Sequence, residues 1–354
     1  MANLTKFGSV GIAKKMFGSK EVLKEVFNGS VIYEKVTTVP YITFSSPNSF
    51  TLATYNRSKG WNGSLYYSTN KSTWNTWSGT TTLSSASDGT NHNLYLRGTN
   101  NTYMNTTLAG VNGRWELTGS NISCSGNIEN LLDYEVVAKT KNPELNGHPT
   151  MTSYCYYYMF YRCTSLTTAP ELPATTSLPG YCYSNMFREC TSLVTAPTLP
   201  ATTFYGGSCY VRMFQDCTSL TTAPALPATT LPGLCYAYMF TGCTSLTTAP
   251  ALPATAVANQ CYQGMFQDCT SLTTLPELPA TTLKNFCYQN MFNGCTKIKL
   301  STNQTGEYQT PYRIPTSGTG SGEGNASSMF SNTGGTFTGT PSINQTYYTS
   351  NTVI

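Results

Sequence analysis

Thiols at fixed spacing are the first side chains in this sequence that could do chemistry. The phrase CYYYMFYRCTSLTTAPELPATT opens at Cys155, and its first cysteine returns at Cys182, Cys209, Cys235, Cys261 and Cys287, a period of 26 or 27 residues. The second cysteine of each copy is Cys163, Cys190, Cys217, Cys243, Cys269 or Cys295, and Cys124 stands alone. Seven residues between cysteines is not a zinc-ligand spacing, and both histidines, His92 and His148, lie outside the copies. On a helix, cysteines eight residues apart sit about 12 Å apart, beyond the ~7 Å that a disulfide spans. Helices of neighbouring copies stack at about 8–10 Å, which disfavours bridges between copies too. The expectation is reduced, buried thiols acting as small hydrophobes, with no metal and no cofactor.

Carboxylates are the next candidates. The slot before the second cysteine holds Arg162, Glu189, Asp216, Gly242, Asp268 and Gly294, so no acid has a fixed partner. Asp216 and Asp268 lie two copies apart, about 15–20 Å at helix spacing, whereas a glycosidase pair needs about 5–10 Å. The chain has no G-x-S-x-G, H-E-x-x-H or phosphate-binding loop. In the glycine-rich passage TSGTGSGEGNASS, Glu323 stands where a dinucleotide fingerprint needs its third glycine. The reading is a non-enzyme, with a glycan depolymerase as one alternative.

Binding fits the pattern better. The scaffold letters barely change between copies, whereas the slots after Cys-Tyr and after Met-Phe vary: Tyr157-Tyr158 and Tyr161-Arg162, then Ser184-Asn185 and Arg188-Glu189, then Val211-Arg212 and Gln215-Asp216. Surface drift would look the same. Because Tyr and Arg dominate interaction hot spots, the candidate binding residues are Tyr157, Tyr158, Arg162, Arg188, Arg212 and Tyr238, with Tyr205, Lys284 and Phe286 in the spacers.

These side chains must be held by the copies themselves. In the first copy Cys155, Met159, Phe160 and Cys163 recur at i, i+4, i+5 and i+8, which predicts a helix of about two turns with these residues on its buried side. The same core set follows in Cys182, Met186, Phe187 and Cys190, and in Cys209, Met213, Phe214 and Cys217. Leu166 opens the T-S-L-T-T-A-P-x-L-P run, whose β-branched residues and prolines suit a short parallel strand or extended turn. One such unit cannot bury its own core, so copies must stack. Six are clear, and a faded seventh keeps Met329 and Phe330 with Asn325 and Thr333 in the cysteine slots.

The repeat resembles the BspA-like leucine-rich repeats, on the strength of MFYRCTSLT, MFRECTSLV, MFQDCTSLT and MFTGCTSLT. That resemblance covers about residues 150–300 and implies a surface or adhesive binding protein. It departs from the family in its leading cysteine, its Met before Phe and its A-P-x-L-P-A-T-T run. Upstream, KKMFGSKEV and KEVFNGSVIYEK read as a hairpin and resemble the N-terminal attachment segments of minor structural proteins of tailed bacteriophages.

The expected architecture is multi-domain: a β-rich N-terminal module and β-sandwich followed by an α/β leucine-rich-repeat-like solenoid of six clear repeats. Its parts are an attachment module at 1–40, the sandwich at 41–118, a solenoid cap at 119–149 using Ile128, Leu131 and Leu132, the solenoid at 150–300, and a C-terminal loop with the degenerate capping repeat at 301–354. Within the sandwich Trp61, Tyr66, Tyr67, Trp74, Trp77, Tyr95 and Trp115 invite sugar stacking, but strand alternation turns roughly half of them inward.

Only 10% of residues are charged, the net charge is +4, and no basic runs occur, so nucleic acid is not an expected partner. No apolar stretch approaches the ~20 residues of a membrane span, and Lys14, Lys15, Lys20 and Lys24 interrupt any signal-peptide core. An adhesin-like repeat without an export signal points to a virion protein made in the host cytoplasm, of tail-fibre or head-fibre type. It would attach to other virion proteins through residues 1–40 and present the repeats to a host surface glycan or protein, or to neighbouring subunits. A homo-oligomer, a trimer by fibre analogy alone, goes with that reading. A bacterial surface adhesin is the other alternative.

Overall fold

The computed structural model describes residues 11–17, 20–27, 30–38, 40–105, 113–139, 148–173, 177–317 and 326–354. Three strands, Gly11–Phe17, Lys20–Phe27 and Ser30–Thr38, form an antiparallel meander. Thereafter two sheets pack face to face. The larger places Ile42–Ser46 between Ile122–Ser125 and His92–Thr99, then continues through Ser64–Ser68 to Asn75–Trp77. The smaller pairs Thr51–Thr54 with Trp115–Thr118 and Leu83–Ser84. Strand alternation sends Ile42, Phe44, Leu94 and Leu96 inward to meet Leu52, Trp115 and Leu117 from the facing sheet, and all are buried. Phe44 and Trp115 lie 6.0 Å apart across that interface.

The expected α/β leucine-rich-repeat solenoid is not what the chain forms. Among the described residues the only α-helix is Asn130–Lys139, ahead of the repeats, and the repeats hold several short separate sheets rather than one closed α/β coil. Where a helix was expected, the chain makes a ribbon of consecutive turns. Amides of Tyr157, Met159, Tyr161 and Cys163 donate to carbonyls three residues back, at 3.0–3.2 Å. The alternate amides turn to the next copy: Tyr156 to Cys182 O, Tyr158 to Ser184 O, Phe160 to Met186 O and Arg162 to Arg188 O, at 2.9–3.2 Å. An α-helix would send every amide four residues back within its own copy.

A left-handed residue at every fourth position makes this possible. Tyr154, Tyr158 and Arg162 have φ of 67°, 55° and 65°, and their equivalents in later copies share that sign. Each such residue reverses the helical sense, so the ribbon advances in side-chain pairs, one pair always buried and the next variably so, with Tyr161, Ser184, Asn185 and Ala237 of the second kind also buried. Cys155-Tyr156, Met159-Phe160 and Cys163 are buried, while Tyr157-Tyr158 are half-buried and Arg162 is exposed. Glycine, asparagine and aspartate tolerate the left-handed region best, and Gly242, Gly264, Gly294, Asn185, Asn290, Asp216 and Asp268 occupy these slots.

Copies are therefore one hydrogen-bonded strand spacing apart, about 4.8 Å, instead of one helix diameter. Their core side chains stack on themselves. Phe160, Phe187, Phe214, Phe240, Phe266, Phe292 and Phe330 form a ladder with rings 5.4–5.8 Å apart and nearly parallel. Tyr156, Tyr183, Tyr210, Tyr236, Tyr262 and Tyr288 form a second at 5.5–5.9 Å. Met329 and Phe330 are fully buried in the last layer, and Thr333 turns its hydroxyl to Phe330 O at 2.8 Å; Asn325 lies outside the described residues. Beyond the ribbon, Leu166–Thr168 pairs in parallel with Ile122–Ser125, and Thr168, Thr195, Thr222 and Thr248 bridge in turn. Spacer strands pair likewise, Ser177–Leu178 with Thr203–Phe204 and Thr230–Leu231 with Ala256–Val257.

Both ends of the ladder are closed. At the head Met104 N–H donates to Cys155 O (2.6 Å) and Trp115 N–H to Met159 O (2.7 Å), and the Asn105 side-chain amide donates to Tyr157 O (2.8 Å). At the foot Phe330 N–H reaches Gly339 O (2.8 Å) and Ser328 N–H reaches Thr340 Oγ1 (2.8 Å). No open edge is left at these positions for another chain to extend. Trp61, Trp77, Trp115 and Phe160 touch in sequence at 5.2–5.9 Å, so sandwich and repeats share one hydrophobic core.

Candidate functional site

All thirteen cysteines are free and buried. The spacing argument against bridges between copies does not hold, because equivalent cysteines in adjacent layers are one strand spacing apart, about 4.8 Å, inside the bridging range. The thiols have another use. Sγ of Cys190, Cys217, Cys243, Cys269 and Cys295 donates to the carbonyl of the phenylalanine one layer up, at 2.9–3.1 Å, and Cys163 does the same to Trp115 O at 3.2 Å. Burial pushes these thiols well above their ordinary range, which suits a proton donor and not a nucleophile. Among the described residues no group of three or more His, Cys, Asp or Glu is placed to hold a metal.

The carboxylate column also changes. Two layers put Asp216 and Asp268 about 10 Å apart, not 15–20 Å. Gly242 separates them, and a Cβ there would lie 2.3 Å from Asp216 Oδ1, so the first carboxylate rests on the glycine below it; Asp268 rests on Gly294 in the same way, at 2.1 Å. From Asp216 downward acid and glycine alternate, which keeps Asp216 and Asp268 out of adjacent layers, whereas Glu189 stands in the layer directly above Asp216. Burial, with Glu189 and Asp268 adding repulsion, holds the Asp216 carboxyl above its usual range although Arg188 opposes the shift.

The nine candidate binding residues fall in three places. Tyr157 and Tyr158 belong to an aromatic cluster at the head of the stack. Tyr154 stacks on Tyr181 (4.5 Å, 15°), Tyr157 meets Tyr154 and Tyr158 edge-on, and Tyr158 meets Tyr161 at 5.1 Å. Three guanidiniums surround Tyr161: Arg162 at 5.0 Å, Arg114 at 5.4 Å and Arg188 at 5.5 Å. Glu189 receives Arg162 Nε at 2.7 Å and Arg188 at 3.4 Å. With the Arg162 side chain 57% exposed, the pair is screened by solvent, so it orients these side chains more than it stabilises the fold. Burial and the neighbouring Tyr158 push the Tyr157 phenol up to about 12, and burial with Glu189 raises Tyr161. The cluster combines neutral phenols with three guanidiniums and the Glu189 carboxylate that holds two of them, a set fitted to recognition by stacking and hydrogen bonding.

Arg212 and Tyr238 sit together lower down, with the guanidinium 4.9 Å from the ring centroid. The ring also covers Gly264, where a Cβ would come within 2.5 Å of it. Tyr238 is thus packed against residues of both neighbouring copies. Tyr205, Lys284 and Phe286 lie on the spacer side and are exposed, Tyr205 at 81%.

Tyr154, Tyr181, Tyr55 and Arg114 were not among the candidates, although Arg114 covers the Tyr55 ring at 3.8 Å and links the sandwich to the cluster. The tyrosine density of MTSYCYYYMFY is the available signal for Tyr154 alone. Of the sandwich aromatics, Trp61, Trp77, Trp115 and Tyr95 are buried, while Tyr66, Tyr67 and Trp74 are partly exposed. Arg97 lies between Trp74 (4.0 Å) and Tyr134 (4.2 Å).

No family model, curated protein or solved structure matches the chain. No helix among the described residues is long and apolar enough to cross a membrane.

Proposed function

We propose that this chain is a non-enzymatic bacteriophage virion protein of tail-fibre or head-fibre type, joined to other virion proteins through residues 1–40 and presenting its repeats to a host surface. The observation that carries this reading is the split between columns. Inward slots repeat Cys, Tyr, Met, Phe and Leu almost unchanged and are buried in every layer, while the outward slots change from copy to copy and gather tyrosine and arginine. A stack with fixed ends and variable outer columns separates the demands of folding from those of recognition. The separation is clearest at the exposed slots such as Arg162, because Ser184, Asn185 and Ala237 in the outer columns are buried.

Mass spectrometry of purified particles tests it. The chain is expected in virions at a few tens of copies or fewer, as befits a fibre, and absent from washed host outer membranes. Recovery from those membranes with none in particles would overturn the proposal in favour of a bacterial adhesin.

A further inference from the structure

The spacer side of the stack carries a shallow groove that the head cluster does not share. Successive copies place Pro179, Tyr205, Pro232, Ala258 and Lys284 in equivalent slots. Ladder bonds from Tyr205 N–H to Leu178 O (2.8 Å) and from Ala258 N–H to Leu231 O (3.2 Å) hold that column in register. Between the third, fourth and fifth copies the surface opens into a groove of about 510 Å³, whose rim and floor include Thr230, Gly233, Ala256, Ala258, Asn259 and Lys284. Tyr205 stands one layer beyond its upper end.

Several features restrict what can lie there. The groove is shallow: Leu231 and Val257 are buried beneath it, and the accessible lining is mostly small residues, so it offers no deep apolar socket. Its backbone is engaged, Thr230–Leu231 pairing with Ala256–Val257, which leaves no strand edge for a peptide to extend. Lys284 is the only charged residue of the lining and makes no ion pair among the described residues. Tyr205 offers an exposed ring face. Three layers separate Tyr205 from Lys284, about 14 Å, room for a short oligosaccharide laid along the stack.

We propose that this groove binds an acidic oligosaccharide, with one sugar ring stacked on Tyr205, a carboxylate on the Lys284 ammonium, and hydroxyls on Thr230 and Asn259. The proposal rests on the host-surface reading above and names the ligand class of one face. Calorimetric titration of the full chain with trigalacturonate, a hyaluronan tetrasaccharide and trimeric sialic acid, each against neutral maltotriose and chitotriose, tests it. At least one acidic ligand is expected to bind at least tenfold more tightly than either neutral one. Lys284→Gln and Tyr205→Ala should each weaken it tenfold or more, and added salt should weaken it further. Both side chains are exposed, so unchanged thermal unfolding of the variants serves as the folding control.

The proposal is overturned if none of the acidic ligands binds, if neutral ligands bind as well, or if both variants bind like the parent. Adsorption to host cells separates this from the broader reading. Parent and variants adsorbing equally would remove the groove and leave the host-surface role standing, whereas no adsorption by the parent would remove that role. Loss of adsorption after protease treatment of the cells, with no effect of periodate oxidation, would identify a protein partner and overturn the saccharide assignment.

Discussion

Gly294→Val is expected to destabilise the lower repeats by about 2–5 kcal/mol, from left-handed strain and overpacking together. Gly294 has φ of 77°, and a Cβ there would lie 2.1 Å from Asp268 Oδ1. The β-branched side chain meets both problems at once. Denaturant titration followed by tyrosine fluorescence reads the effect. A second variant separates the causes: placing Gly294→Val on an Asp268→Ala background removes the carboxylate but not the backbone strain, so only part of the loss should return. Were this segment a helix, replacing its glycine by valine would change stability by only a few tenths of a kcal/mol in the favourable direction. The two descriptions therefore predict opposite signs.

Phe240→Ala is expected to cost about 3–5 kcal/mol, the range for emptying a buried aromatic site. Its ring is fully buried between Phe214 (5.7 Å) and Phe266 (5.8 Å). The backbones of both neighbours are pinned by ladder bonds, Phe214 N–H to Met239 O and Phe266 N–H to Met291 O, which limits how far the site can collapse. Because layers touch only their neighbours, the loss should fall on the middle of the stack. Hydrogen exchange is expected to rise most in residues 209–291 and least in the sandwich. A uniform increase over the whole chain would show instead that the stack and the sandwich unfold as one unit.

How much of this was legible in the sequence can be argued from the same residues. Cys155, Met159, Phe160 and Cys163 are placed identically by a helix and by a turn ribbon with a period of four, so the buried set was readable while the backbone was not. A helical period of 3.6 drifts by about 80° over eight residues, too little to notice within one short copy. The discriminating signal lies in two other columns, Asn185 and Gly264 in one and Gly242, Asp268 and Gly294 in the next. Glycine and asparagine at every fourth position are unfavourable in a helix interior and favoured where φ is positive.

Helix geometry carries errors of distance with it. Copies at helix spacing put Asp216 and Asp268 too far apart and adjacent cysteines beyond bridging reach. Variation at Tyr158, Arg162, Arg212, Tyr238 and Phe286 was read as a surface for partners, yet all five have positive φ, so conformation as well as binding bears on what those slots hold. The caps were not legible at all. Met104, Asn105 and Trp115 close the head of the ladder through long-range hydrogen bonds, two of them from the backbone, that no local pattern announces.

The ladder between copies is the claim on which the columns, the groove and both stability predictions depend. Through-hydrogen-bond NMR couplings between amide nitrogen and carbonyl carbon, recorded on deuterated protein, observe it directly. The expected cross-peaks join Tyr236 N to Cys261 C′, Tyr238 N to Gln263 C′ and Phe240 N to Met265 C′, matching bonds of 3.0, 2.7 and 2.9 Å. Couplings from those amides to carbonyls four residues earlier in their own copy would contradict the account.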